Sequence, residues 1–117
     1  MRVIVCGTRG LYGGVHWLDL KHELDELKPK TIIHGACMNS ADQMADKYAR
    51  DNRIEVIKFP ADWATYKKHA GFLRNRQMAA ESHADFCVAV WDGKSNGTRN
   101  MIQEATMYGI PSRVIPG

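Results

Sequence analysis

The sequence predicts an α/β fold: a single Rossmann-like domain with a mostly parallel five-strand sheet between helical layers. Three observations carry that reading. Five short apolar runs, at residues 3–6, 31–34, 54–59, 86–91 and 114–115, alternate with stretches whose apolar residues recur at helical spacing. Strands joined by helices favour parallel pairing, because right-handed crossovers place the helices on both faces. The length of 117 residues accommodates one domain, 1–117, with a real core and is too short for two.

Val3-Ile4-Val5-Cys6 reads as a buried first strand, ended by the turn Gly7-Thr8-Arg9-Gly10. Trp17, Leu20, Leu24 and Leu27 then mark a helix that Pro29 closes. After the strand Thr31-Ile32-Ile33-His34, Ser40 is placed to cap a helix, with Gln43 at the reciprocal capping position. Ala41, Met44, Ala45, Tyr48 and Ala49 form its apolar stripe. A third strand carries Ile54, Val56, Ile57 and Phe59 and stops at Pro60. The polar, aromatic stretch 61–69 reads as a loop, followed by a helix over 71–83 and a strand over 86–91. The last helix spans 98–108, with Thr98 as its N-cap and Met101, Ile102 and Ala105 inward. Gly109 ends it, Pro111 prevents its continuation, and Val114-Ile115 makes a short final strand.

Composition narrows the function class. Hydrophobic residues at 44% and charged residues at 25% describe a globular domain rather than a disordered tail. A net charge of +3 suits anionic small molecules and is too slight to argue for nucleic acid. No apolar run is long enough for a bilayer, and MRVIVCGTRG lacks a signal-peptide pattern, so a cytoplasmic location is expected. Three cysteines cannot complete a disulfide framework, and a reducing compartment suits them. Cys6 and Cys87 lie in apolar runs; Cys37, in a loop, has no evident base to activate it. Without CxxC, HExxH or a Cys/His cluster, neither a metal nor a cofactor is expected.

In such a fold the loops after the strands gather along the carboxyl edge of the sheet, where ligands enter. The residues there suggest an anion site. Gly7, Thr8 and Arg9 read either as a phosphate-approaching loop with a guanidinium fork or as a plain structural turn. GxGxxG and GxxxxGK[ST] are both absent. Gly35, Ala36 and Ser40 occupy the corresponding place after the second strand. Asp42 complements a helix dipole, or reaches a ligand ribose or Arg9. Asp62, Trp63 and Tyr66 would suit a nucleoside rim, with an apolar subunit contact as the other reading. Arg74 and Asn75 stand at a helix start, where a cation needs a nearby anion, either a phosphate or an internal salt bridge. Arg76 reads as solvent-facing, and Glu104 lies too far along its helix for this edge. In the last loop Gly93 and Gly97 permit tight turns, while Ser95, Thr98 and the helix start present donors. Asp92 there, and Asp62, are the candidate catalytic acids.

The ordered segments VIVCGTR, HGACMNSAD, FPADWATYKKHAGFLRNRQM, ADFCVAVWDGKSNGTRNMIQEA and YGIPSRVI resemble the YspA-like, YpsA-related branch of the SLOG superfamily. Gly35-Ala36 departs from the double glycine more usual in that branch. More distantly, RNRQM followed by AVWDGKSNGTRNM resembles the LOG-type nucleotide phosphoribohydrolases. By that likeness Arg74 takes the place of their functional arginine and Gly97-Thr98 that of their phosphate-loop Gly-Thr. Their catalytic glutamate falls at Asn100 or Met101, neither of which carries a carboxylate. The resemblance implies binding of a nucleotide or nucleotide-derived signal. The alternatives are hydrolysis of an N-glycosidic bond in a nucleoside monophosphate or related nucleotide, assisted by Asp92 or Asp62, and a nucleic-acid accessory role. Expected partners are therefore a small-molecule nucleotide and a second copy meeting the Trp63 and Tyr66 rim, with no membrane.

Overall fold

The strand order β3-β2-β1-β4-β5 places the first strand at the centre of the sheet. In the computed structural model, which covers residues 1–117, the strands are β1 (Arg2–Gly7), β2 (Thr31–His34), β3 (Glu55–Lys58), β4 (Phe86–Trp91) and β5 (Ser112–Pro116). Every neighbouring pair runs parallel, with Gly7 opposite Val90 at the carboxyl end of the central pair. The helices are α1 (Gly14–Leu27), α2 (Ala41–Asn52), α3 (Trp63–Tyr66), α4 (Ala70–Glu81) and α5 (Asn96–Met107).

Side-chain alternation along the strands builds two separate cores. Val3 and Val5 of β1, with Ile32, Val88 and Val90, pack against Leu20 and Leu24 of α1 and Met44, Ala45 and Tyr48 of α2. Ile4 and Cys6, with Ile33, Cys87 and Ala89, meet Met78 of α4 and Met101 and Ala105 of α5 on the opposite face. A fully buried Leu or Ile contributes about 1.5–3 kcal/mol. Because α1 and α2 cover one face and α4 and α5 the other, the chain changes direction across the sheet between β1 and β4. A crevice opens there at the carboxyl edge.

The β2 and β4 boundaries coincide with the apolar runs that predict them, while other boundaries shift. α1 begins at Gly14 and ends where Lys28, in a left-handed conformation with φ 51°, donates its N–H to Leu24 O. Residues 61–69 are not a loop: α3 is followed by a 3₁₀ turn over Lys67–His69. Asp62 starts this segment by accepting a hydrogen bond from Thr65 N at 3.1 Å. It buries none of its side chains, so it carries no apolar period. α4 starts at Ala70 and ends at Glu81, and α5 starts at Asn96 with Ser95, not Thr98, at the N-cap. Thr98 is instead the third residue of α5 and is buried. No helix is long and apolar enough to cross a membrane.

Candidate functional site

Two adjoining cavities lie at the carboxyl edge. One, of about 280 Å³, is lined by Gly7, Arg9, Asp42, Trp63, Arg74, Asn75, Ser95, Gly97 and Thr98 among others. The second, of about 410 Å³, adds Gly35 and Ala36 and shares Arg9, Cys37, Trp63 and Arg74 with the first. Eleven of the sequence-predicted binding residues are thus gathered around one two-lobed space.

Arg74 is the hinge of this arrangement. It is the fifth residue of α4 rather than the helix start, and neither a salt bridge nor the helix end explains it. Its Nη1 donates to Gly35 O at 2.6 Å and to Phe59 O at 3.4 Å, and its Nε donates to Asn75 Oδ1 at 2.9 Å. Backbone carbonyl dipoles therefore orient the guanidinium where the sequence points to phosphate or carboxylate, and its full charge has no carboxylate partner. The absence of a side chain at Gly35 makes room for this contact, because a Cβ there would overlap the guanidinium and displace it. The other guanidinium nitrogen, Nη2, makes no hydrogen bond within the protein. Asn75, buried beside Arg74, donates through Nδ2 to Gly97 O at 3.1 Å and Asn100 Oδ1 at 3.0 Å. One continuous network thus ties the loop after β2 to the first turn of α5.

The loop after β2 satisfies itself. Asp42 is buried, and its Oδ2 accepts from Gly35 N at 3.2 Å and Cys37 N at 3.0 Å. Burial pushes its carboxyl above the usual range, opposed by the Cys37 N–H, His34, Arg74 and the Gly35 N–H. Asp42 serves the loop, and it makes no ion pair with Arg9. Ser40 Oγ accepts from Asp42 N at 3.2 Å and donates to Cys37 O at 3.0 Å. Gln43 Oε1 accepts from Asn39 N at 2.9 Å, one residue before the expected capping partner. His34 is structural: its Nδ1 accepts from Ala36 N at 2.9 Å, so Nε2 donates to Asp46 Oδ1 at 3.0 Å. That bond, chiefly, lowers the Asp46 carboxyl below its usual value.

The loop after β4 is built differently. Asp92 Oδ1 accepts from Lys94 N and Ser95 N, each at 2.8 Å, and from Thr8 Oγ1 at 3.4 Å. The Ser95 and Lys94 N–H groups hold this exposed carboxyl below the usual range. Thr8 Oγ1 in turn accepts from Asp92 N at 3.2 Å. Thr8 and Asp92 thereby pin the β1 and β4 loops together, and neither they nor Gly93 line a lobe. Past this pin, no side chain caps α5. Its first turn faces the smaller lobe through Ser95, Gly97 and Thr98. Thr98 is 4% exposed, and its hydroxyl has a single side-chain contact, 3.4 Å from Ser95 Oγ.

The two candidate acids stay outside. Asp92 sits in its pin, and Asp62 starts α3 and faces a third cavity of about 210 Å³ with Tyr66, Leu73 and Gln77, on the other side of Arg74 and Pro60. Ser40 is also fully enclosed. Three residues that the sequence reading does not single out enter the smaller lobe: Lys68, Gly71 and Phe72. The basic run Lys67-Lys68 is their one sequence signal, hidden while 61–69 is read as a loop. Gly71 is close enough to Trp63 that a Cβ would stand 3.4 Å from the indole. Arg76 is solvent-exposed yet pairs with buried Glu104 at 3.5 Å, bracing α4 against α5. Cys6 and Cys87 are buried, and contact with Cys87 followed by burial pushes the Cys6 thiol up, away from reactivity.

Residues 1–66 match the sequence profile of the YspA, cpYpsA-related SLOG family. The chain is also 39% identical over an alignment of 123 residues to the Gene 61 protein of Mycobacterium phage D29, covering 94% of this chain and 92% of that one. The profile stops before Arg74, whereas the phage relative spans nearly the full length and so reaches both walls of the crevice. With its parallel sheet, its edge crevice and these two matches, the chain belongs to the YspA, cpYpsA-related SLOG family.

Proposed function

We propose that the protein binds a nucleotide or nucleotide-derived small molecule, with a phosphate at the N-terminus of α5. One observation carries the reading. Arg9, Lys68 and Arg74 converge on the lobe that receives the uncapped end of α5, and none of the three forms an ion pair. Lys47, Arg50, Lys58, Arg76 and Arg113 each meet a carboxylate, and the other unpaired cations lie outside the crevice, so what sets Arg9, Lys68 and Arg74 apart is their convergence on one concavity. Unpaired cations and free helix-end N–H groups around a concavity are the complement of a phosphate. Trp63, half-exposed on the shared wall, offers a planar face to a base or sugar.

The hydrolytic alternative needs a carboxylate near the sugar. Asp62 and Asp92 lie outside both lobes, and Asp42 is committed to two backbone N–H groups, so binding without cleavage is the better-supported reading. A nucleic-acid role is disfavoured because the net charge is only +3 and the cations gathered at the site line a crevice rather than a long surface stripe. Calorimetry with the four nucleoside monophosphates and their nucleosides tests the assignment. At least one monophosphate is expected to bind about tenfold or more tighter than its nucleoside, with Lys68→Ala weakening it. Equal affinity for nucleoside and monophosphate would overturn the phosphate site. Mass spectrometry of the saturated complex after incubation should return intact nucleotide; released base would establish cleavage instead.

A further inference from the structure

The placement of charge within the crevice is more specific than a phosphate site. Lys68 and the first turn of α5 belong to the smaller lobe alone, whereas Arg9 and Arg74 line both lobes and therefore stand at their junction. A nucleoside monophosphate with its phosphate at α5 would place its uncharged ribose at that junction, beside two cations without a carboxylate partner. Such a pairing leaves the unbonded Arg74 Nη2 and the exposed Arg9 guanidinium without an anion to meet.

We infer that the ligand is a nucleoside diphosphate. Its terminal phosphate meets Lys68 and the start of α5, its inner phosphate lies between Arg9 and Arg74, and its nucleoside occupies the larger lobe. This rests on the nucleotide reading above and narrows it to one class.

Three features support the inner-phosphate position. Arg74 is locked by Gly35 O, Phe59 O and Asn75 Oδ1, which leaves its unbonded Nη2 as the edge available to a ligand. Arg9 is exposed, and its Nη2 has only a weak 3.6 Å contact with Cys37 Sγ, so it is free to close on a second anion. The larger lobe, at about 410 Å³, carries no acid and presents Ala36, Met38, Pro60 and Trp63, a wall suited to a base rather than to more phosphate. The smaller lobe, at about 280 Å³, holds Lys68 and the α5 turn.

Calorimetry on the intact chain provides the test, using nucleoside mono- and diphosphates of all four bases together with orthophosphate and pyrophosphate. For the preferred base, the diphosphate is expected to bind about tenfold tighter than the monophosphate, with pyrophosphate exceeding orthophosphate in the same sense. Arg9→Ala should bring the diphosphate-to-monophosphate ratio close to one, with an unchanged far-ultraviolet spectrum and melting temperature. Equal binding of mono- and diphosphate by the unaltered protein overturns the diphosphate assignment while the nucleotide reading stands. An Arg9→Ala variant that weakens both equally removes Arg9 from the junction and overturns it as well. Failure of every nucleotide to bind ends both readings together.

Discussion

The N-termini of α2 and α5 reach the same edge of the sheet, follow the two strands that flank β1, and are finished in opposite ways. At α2, Ser40 accepts from Asp42 N, Asp42 accepts from the Gly35 and Cys37 N–H groups, and Gln43 takes the Asn39 N–H. At α5 the N-cap residue Ser95 supplies no side-chain cap, and Asp92 holds the loop from the far side. A helix end with a side-chain cap offers a ligand fewer donors, whereas an uncapped one attracts an anion. The sequence shows a serine before each helix. Only the paired comparison shows that the first serves structure and the second leaves the end open.

The contrast can be broken most forcefully at its glycines. Gly35→Ala places a methyl group in the Arg74 guanidinium, and either the side chain or the loop must give way. It should lower stability by about 2–3 kcal/mol in urea titration and abolish ligand binding in the same sample. Gly97, in the first turn of α5, has open space where its Cβ would be. Gly97→Ala should therefore raise stability by about 0.5 kcal/mol while weakening ligand binding severalfold, because the methyl group stands in the lobe. A Gly97→Ala protein that binds ligand normally would detach α5 from the site.

The carboxylates come next. Asp42→Ala leaves two N–H groups without an acceptor and should cost about 2 kcal/mol. Asp92→Ala loosens an exposed loop instead. Its melting temperature should fall less than that of the Asp42 variant, while its ligand affinity falls more. The reverse ranking would show that the self-satisfied loop, and not the open one, contacts the ligand.

The smallest expected effect is a pH response confined to the α2 side. The Asp46 carboxyl is lowered from 3.8, chiefly by its hydrogen bond from His34. A depressed carboxyl contributes stability that is present above its unfolded value and lost as pH falls through its folded value. Asp46→Asn should accordingly flatten the part of the stability profile below pH 3.8, while changing ligand binding at neutral pH little. Thermal melts of both proteins across the acid range would show the two curves converging; parallel curves would assign the acid sensitivity elsewhere.

Much of the architecture is legible in the chain because burial leaves a local mark. The β2 and β4 runs are apolar at every position that faces either core, and their ends fall where the runs end. The α2 stripe of Ala41, Met44, Ala45, Tyr48 and Ala49 is buried as its spacing predicts. Residues 61–69 leave no such mark, since α3 and the following turn bury nothing, and with that segment Lys68 escapes notice. Most of the expected site residues do converge, yet Thr8, Ser40, Asp62, Asp92 and Gly93 line neither lobe. Thr8 and Asp92 join two loops to each other, while Ser40 and Asp62 cap the helices that follow them.

The chain by itself determined the alternation of strand and helix, hence the parallel sheet, and hence the edge where its polar loops collect. Periodicity and turn chemistry are local properties, so one strand of text suffices to read them. Tertiary structure decided what each polar residue is free to do. Arg74 meets Gly35 O across 39 positions and Asn75 meets Gly97 O across 22. Whether a charge is matched by a backbone carbonyl, by a carboxylate or by nothing depends on those distant partners, and the crevice gathers three cations that meet no carboxylate.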